Sequence, residues 1–180
     1  MLKNVIKHFK LITKHKFFVF KLSIRAGIPL RGLLHDLSKY SFIEFWESAK
    51  YYQGNHSPIS ACKKDKGYSE AWLHHKGRNK HHSEYWYDPD APEPTPLIPY
   101  KYTVEMICDK LSASMVYNGK NFTNSSELEY WNKEKERIKI NKNIEKLLDR
   151  VFLDISNDGI NKVVTSKNLK KLYKEYCLNK

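Results

Sequence analysis

From 2 to 26 the apolar residues Val5, Ile6, Phe9, Ile12, Phe17, Phe20 and Ile24 recur at spacings of mostly three and four, and Gly27 followed by Pro29 supplies a stop. The spacing predicts a first helix. A second helical segment is expected over 30–39. Ser41 can cap a third, with Glu44 at the capping-box position ahead of Phe45 and Trp46, ending near Gly54. Residues 54–67 mix Gly, Asn, Ser, Pro and charges without periodicity and are expected to form a loop. A short helix follows over 68–75.

Five prolines within 88–99, DPDAPEPTPLIP, exclude helix and central strand there and predict an extended surface strap. Residues 100–117 are strongly helical, with Val104, Ile107, Cys108, Leu111 and Met115 on one stripe and Asn118 and Gly119 at the end. Ser125 or Ser126 is placed to cap the next helix, running through Trp131 towards Ile140. Helices over 144–155 and 166–178, joined by the turn-like NDG at 157–159, close the chain. No segment alternates convincingly as a strand, so the predicted fold class is all-α.

At 180 residues, 41% hydrophobic and 29% charged, the chain has room for one domain with a real core. Its net charge of +12 attracts anions such as nucleotides, nucleic acids or phosphate esters, although Lys, Asn and Ile enrichment also follows from an AT-biased genome. Three cysteines, Cys62, Cys108 and Cys177, without CxxC spacing argue against a disulfide framework and for a reducing compartment. The apolar run Phe17 to Phe20 is far shorter than the roughly 20 residues of a membrane span. A soluble cytoplasmic protein, with no membrane partner, is the expectation.

The candidate chemistry lies in the histidines. Of eight, His74, His75, His81 and His82 fall close together, with His15 and His35 upstream. Histidine with carboxylate suits Zn, Fe, Mn, Ni or Co rather than Ca or Mg. Within GLLHDLSKYS, Leu33 and Leu34 are expected to hold the segment in the core while a cation compensates buried His35 and Asp36. Lys39, four positions after His35, falls on the same face of the predicted helix, where its ammonium could hold a phosphate. Arg78, inside the histidine cluster, could do the same. Adjacent imidazoles cannot share a face, and His75 with His82 or His74 with His81 have the same spacing of seven; the first pair is preferred.

The order His15, His35–Asp36, histidine cluster, Asp109 resembles the HD superfamily of metal-dependent phosphohydrolases. LLHDLSK is similar to the family's central LLHDxxK step, and CDKLSA, residues 108–113, to its last ligand segment. More narrowly, HHKGRNKHHSEYW is similar to a set of uncharacterised bacterial and phage relatives. The resemblance covers roughly residues 8–118. It implies a compact helical HD-like core over 1–120, with 121–180 as C-terminal helices packing on it within one domain.

It further implies a divalent transition metal centre, two ions with iron or manganese favoured, held by His15, His35, Asp36, His75, His82 and Asp109, with Asp36 bridging. His81 in place of His82 also matches the middle position. The implied activity is hydrolysis of a phosphate ester, a nucleotide among the candidates, through a metal-bound hydroxide, with Asp36 and Lys39 in the catalytic machinery and Lys39 and Arg78 steadying the phosphate. Two other readings stand beside it: an HD-like di-iron oxygenase, and a basic nucleic-acid-binding module whose metal site is structural or degenerate.

Overall fold

The structure is a computed structural model that describes residues 2–54 and 56–179. It is all-α: among the described residues there are helices and turns but no strand. The first helix, α1, spans Leu2–Ala26, and its buried face is the row His8, Ile12, His15, Val19, Leu22 and Ala26, at spacings of three and four. Two histidines thus extend an apolar stripe. Ile6, Phe9, Phe17 and Ile24, which made the segment legible as a helix, are exposed.

Gly27, at φ 79°, ends α1, and Pro29 opens α2, Pro29–Leu34. The continuous helix expected over 30–39 is broken: His35 is extended, Asp36 takes a left-handed conformation with φ 52° and ψ 31°, and Leu37–Tyr40 is a separate 3-10 turn. Lys16 sets this break, since its Nζ donates to the carbonyl oxygens of Leu33 at 2.6 Å and His35 at 2.7 Å. Those carbonyls would otherwise be orphans of a helix end.

Leu33 and Leu34 are exposed, contrary to the expectation that they anchor the segment. The contact is made by Gly32 instead. A Cβ there would fall 2.4 Å from Ser23 Cβ, so α2 lies against α1 only because this position has no side chain.

Ser41 caps α3, Phe42–Lys50, accepting from the Glu44 backbone N–H. The segment expected as loop contains α4, Pro58–Lys66, with Pro at its start and Gly67 at φ 83° at its end. Helix α5, Glu70–Lys76, is capped by Ser69, whose Oγ accepts from Trp72 N–H at 3.1 Å. The proline-rich strap 88–99 carries neither helix nor strand.

Helix α6, Tyr100–Asn118, is buried on nearly all sides from Thr103 to Ser112. Helix α7, Ser126–Glu134, stops short of Ile140, and the cap expected from Ser125 or Ser126 is not made on α7: Ser126 Oγ accepts from Thr123 N–H. The last helices are α8, Lys142–Asp158, α9, Ile160–Val163, and α10, Ser166–Tyr173, which passes into a π-helical turn at Lys174–Leu178.

The main hydrophobic core joins α1, α6, α8 and α10. Ile144, Leu147, Leu148, Val151, Phe152 and Ile155 of α8 meet Val19, Leu22, Ile107 and Leu111, with Leu169 and Leu172 behind them. Helices α3 to α5 bury little apolar surface, chiefly Ala49, Cys62 and Ala71. What fills the space between them and α1 and α6 is polar.

Candidate metal centre

Four elements converge on that polar space. α1 supplies His15, the broken segment supplies His35 and Asp36, α5 and the turn after it supply His75, His81 and His82, and α6 supplies Asp109. Two groups form. Donor atoms of His15, His35, Asp36 and Asp109 lie within 4.8 Å of one another, as do those of Asp36, His75, His81 and His82.

Asp36 belongs to both groups, through different oxygens. Its Oδ2 lies 3.1 Å from His35 Nε2, while Oδ1 lies 3.4 Å from His75 Nε2 and 3.5 Å from His81 Nε2. Asp109 Oδ1 lies 3.0 Å from His15 Nε2 and 3.3 Å from His35 Nε2.

The set fits a cation. His15 Nε2, His35 Nε2, both Asp36 oxygens and His81 Nε2 are buried without an aligned hydrogen bond, although opposite partners are near. Buried polar atoms are normally paired, and donors that miss one another while pointing into a common space are the geometry a metal satisfies. Imidazole nitrogen with carboxylate oxygen is a donor set for transition metals.

Two further carboxylates orient the rings. Glu105 Oε1 lies 3.1 Å from His35 Nδ1 and 3.4 Å from His81 Nδ1, and its other oxygen accepts from Arg31 Nε at 2.7 Å and Nη2 at 2.5 Å. Glu44 does the same for the α5 histidines, with Oε1 2.6 Å from His74 Nδ1 and Oε2 2.8 Å from His75 Nδ1. At His35 and His75 a carboxylate accepts at Nδ1, which leaves Nε2 for a ligand role, while His81 Nδ1 has Glu105 near it without an aligned hydrogen bond. A third donor group, His35, His81 and Glu105, is therefore read as this support rather than as another ion site.

The electrostatics are those of a dense buried cluster. Burial opposes ionisation of Asp36, but His35, Lys39, His75 and His81 outweigh it and hold its pKa well below the ordinary carboxylate value. Burial likewise opposes ionisation of Asp109, and His15, His35 and His81 lower its pKa in the same way. Burial would depress His35, yet the carboxylates of Asp36, Asp109 and Glu105 raise its pKa well above that of a free imidazole. His15 and His82 are lowered, chiefly by burial, and so are neutral. Lys39 Nζ lies 2.5 Å from Asp36 Oδ2 and supplies, with a protonated His35, positive charge of the kind a cation would bring.

A cleft of about 650 Å³ opens beside the cluster. His15, Lys39, His75, His81, His82 and Asp109 line it, while His35 and Asp36 are buried and do not. Its outer wall comes from Trp72, Tyr117, Tyr130, Lys110 and Arg137.

All six residues named from the sequence as ligands are brought together. Arg78 is not among the residues lining the cleft; it is exposed on the turn after α5, and the cationic side chains that do line it are Lys39, Lys110 and Arg137. His74 faces Glu44. Of the residues not singled out, Glu105 had a signal, lying four positions before Asp109 on one helix. Glu44 was absorbed by its capping position, which engages only its backbone N–H.

A family model, that of the family of unknown function DUF5662, matches residues 4–154. The chain belongs to this family. No curated protein and no solved structure matches the chain. The DUF5662 match contains every residue of the cluster, the whole of α7 with its share of the cleft wall, and most of α8. It thus reaches well past residue 118.

Proposed function

We propose that the protein is a metal-dependent phosphohydrolase that binds two divalent transition metal ions and cleaves a phosphate ester. The observation that carries this reading is the division of Asp36, which belongs to both donor groups: one oxygen lies beside His35 Nε2, and the other beside the Nε2 atoms of His75 and His81. That arrangement supports a bridged pair of ions, one group of donors to each.

A pair of such cations, when bound, activates water at neutral pH and neutralises charge developing on phosphoryl oxygens. The chain's own residues supply the rest. Glu44 and Glu105 hold His75 and His35 in the rotation and tautomer that aim Nε2 inward. Lys39, at the edge of the cluster and in the cleft wall, is placed to shift from Asp36 to a phosphate oxygen once cations compensate that carboxylate. Trp72, Tyr117 and Tyr130 give the ester's organic portion a partly apolar wall, with a nucleoside among the groups that fit.

Elemental analysis of the purified protein and of Asp36→Ala tests the reading, followed by phosphate release from a panel of phosphate monoesters and diesters. Near two equivalents of metal, lost in the variant, together with ester hydrolysis that Lys39→Ala weakens without removing metal, is the expected result. Full metal in Asp36→Ala overturns the ligand assignment. Bound iron with oxygen uptake and no phosphate release replaces hydrolysis with oxygenase chemistry.

A further inference from the structure

Away from the metal cluster the cleft is walled by α6 and α7. Glu127, Tyr130 and Glu134 line it at spacings of three and four, on one face of α7, and Ala113, Ser114 and Tyr117 line it from α6. Glu127 stands apart from its neighbours. It is only 2% exposed, yet its Oε1 has no hydrogen-bond partner among the described residues. The side chains that would pair with it are engaged elsewhere: Lys110 Nζ is bound to Glu134 Oε2, and Asn118 Nδ2 donates to the Ser114 carbonyl oxygen at 2.9 Å and to Ser114 Oγ at 3.2 Å. Buried carboxyl oxygens are normally paired, so an orphan in a cleft wall marks a position that a ligand completes.

The chemistry of this carboxyl narrows the ligand. Burial outweighs the attraction of Lys110 and, with Glu134 nearby, pushes its pKa up to about 8, so at neutral pH the group is a carboxylic acid. An acid presents a donor and an acceptor on one edge, whereas a carboxylate only accepts. Its complement is a group that also pairs a donor with an acceptor, as a cyclic amide or amidine does. The flanking side chains ask for a flat body behind that edge, since Tyr117 and Tyr130 offer aromatic rings and Ala113 a methyl group. Heterocyclic bases have both. Ser114, beside Glu127, follows Asp109 by five residues on α6, a rise of about 7.5 Å. A ribose spans a gap of that order between a phosphate at the cluster and a base at Glu127.

We propose that Glu127 is a specificity-determining residue whose carboxyl pairs with the donor and acceptor edge of a heterocyclic base, which makes this end of the cleft a base subsite. The proposal rests on the hydrolase reading for the place of the phosphate, and adds to it the part of the substrate that the metal centre does not touch. A sugar hydroxyl would satisfy Oε1 but leaves the aromatic side chains uncovered. A second anion is disfavoured, because the ammonium group of Lys110 is already paired with Glu134.

Calorimetric titration of the protein as purified tests it, with phosphonate analogues of the common ribonucleoside 5′-monophosphates and of ribose 5-phosphate. In each a methylene replaces the bridging ester oxygen, so none is hydrolysed. At least one nucleoside analogue should bind about tenfold or more tighter than the sugar analogue, as one or two buried hydrogen bonds contribute. Glu127→Gln, whose amide keeps a donor and an acceptor on one edge, should retain most of that advantage, and Glu127→Leu should abolish it. Should Glu127→Leu fail to fold by circular dichroism, Glu127→Asp, which withdraws the carboxyl by one methylene, is the replacement and must reduce the advantage. Equal binding of the sugar and every nucleoside analogue, or an advantage that Glu127→Leu preserves, overturns the proposal. If 4-nitrophenyl phosphate is hydrolysed all the same, the hydrolase reading stands without it. Base-dependent binding that needs Glu127, with no ester hydrolysed, keeps the subsite and removes the hydrolase reading.

Discussion

The Nε2 atoms of His75 and His82 face each other at 3.0 Å, and Glu44 Oε2 sits 2.8 Å from the far nitrogen of His75. Two imidazole lone pairs at that distance need a proton or a cation between them. Because Glu44 fixes the His75 tautomer, its loss should be felt by the group containing Asp36, His75, His81 and His82 and not by the other. Glu44→Ala is expected to weaken one of two ion-binding events about 10- to 100-fold, as outer partners of metal-bound histidines typically do. Calorimetric titration of the metal-free protein with Mn or Co resolves this; two unaltered binding events would refute the orienting role.

Asp36 combines ligand chemistry with an uncommon backbone. At φ 52° a β-carbon is strained, and asparagine tolerates that region better than alanine does. Asp36→Asn and Asp36→Ala both remove the charge that faces His35 and Lys39, and their difference reads the left-handed strain together with the polar contacts that the amide keeps. Urea denaturation of the metal-free variants should find the alanine form less stable by about 1 kcal/mol. Equal stabilities would show that the turn relaxes without strain.

Gly32→Ala should be costly although it adds one methyl group. That methyl would meet Ser23 Cβ at 2.4 Å and Phe20 Cα at 3.1 Å, so α2 must lift from α1. A loss of about 1–3 kcal/mol in denaturant unfolding is expected, with weaker metal binding because His35 and Asp36 follow α2. A variant as stable as the parent would mean that α2 is free to shift.

Glu127 supplies a pH signature away from the cluster. Burial in the cleft wall, against a lowering influence from Lys110, pushes its pKa up from 4.5 to about 8. The folded state keeps this proton where the unfolded chain has lost it. Its contribution to stability is therefore full below about pH 4.5 and is lost as pH rises through about 8. Glu127→Gln removes the dependence. Relative to the parent, the variant should gain on the order of 5 kcal/mol between those limits, read as the difference of two stability–pH curves. Parallel curves would place the carboxyl in water.

Much of the architecture was legible in short-range pattern. The ends of α1 follow from apolar recurrence, Gly27 and Pro29; α3 follows from Ser41; α6 follows from its stripe and the strap from its prolines. These signals act through a few neighbouring residues, which is why they survive without a fold. Helix α4 escaped because only Pro58 and Cys62 turn inward, leaving almost no hydrophobic period to read, though Pro58 and Gly67 marked both its ends. The break at His35 escaped because its cause, Lys16 reaching the Leu33 and His35 carbonyls, is a contact across 17 to 19 positions.

By itself the sequence determined that the chain is helical, where most helices begin and end, and that histidines and carboxylates are gathered in an order suited to metal, because periodicity, capping and residue chemistry are local properties. Only the tertiary structure decided which face of α1 is buried, so that His8 and His15 continue its apolar row while Phe9 and Phe17 stay outside. It likewise brought His81 beside Asp36, set Glu105 and Glu44 behind the rings, and placed Arg137 rather than Arg78 on the cleft. The physical reason is common to all of these. Where a lone pair points depends on the rotation and packing of helices distant in the chain, and spacing along one helix does not carry that information.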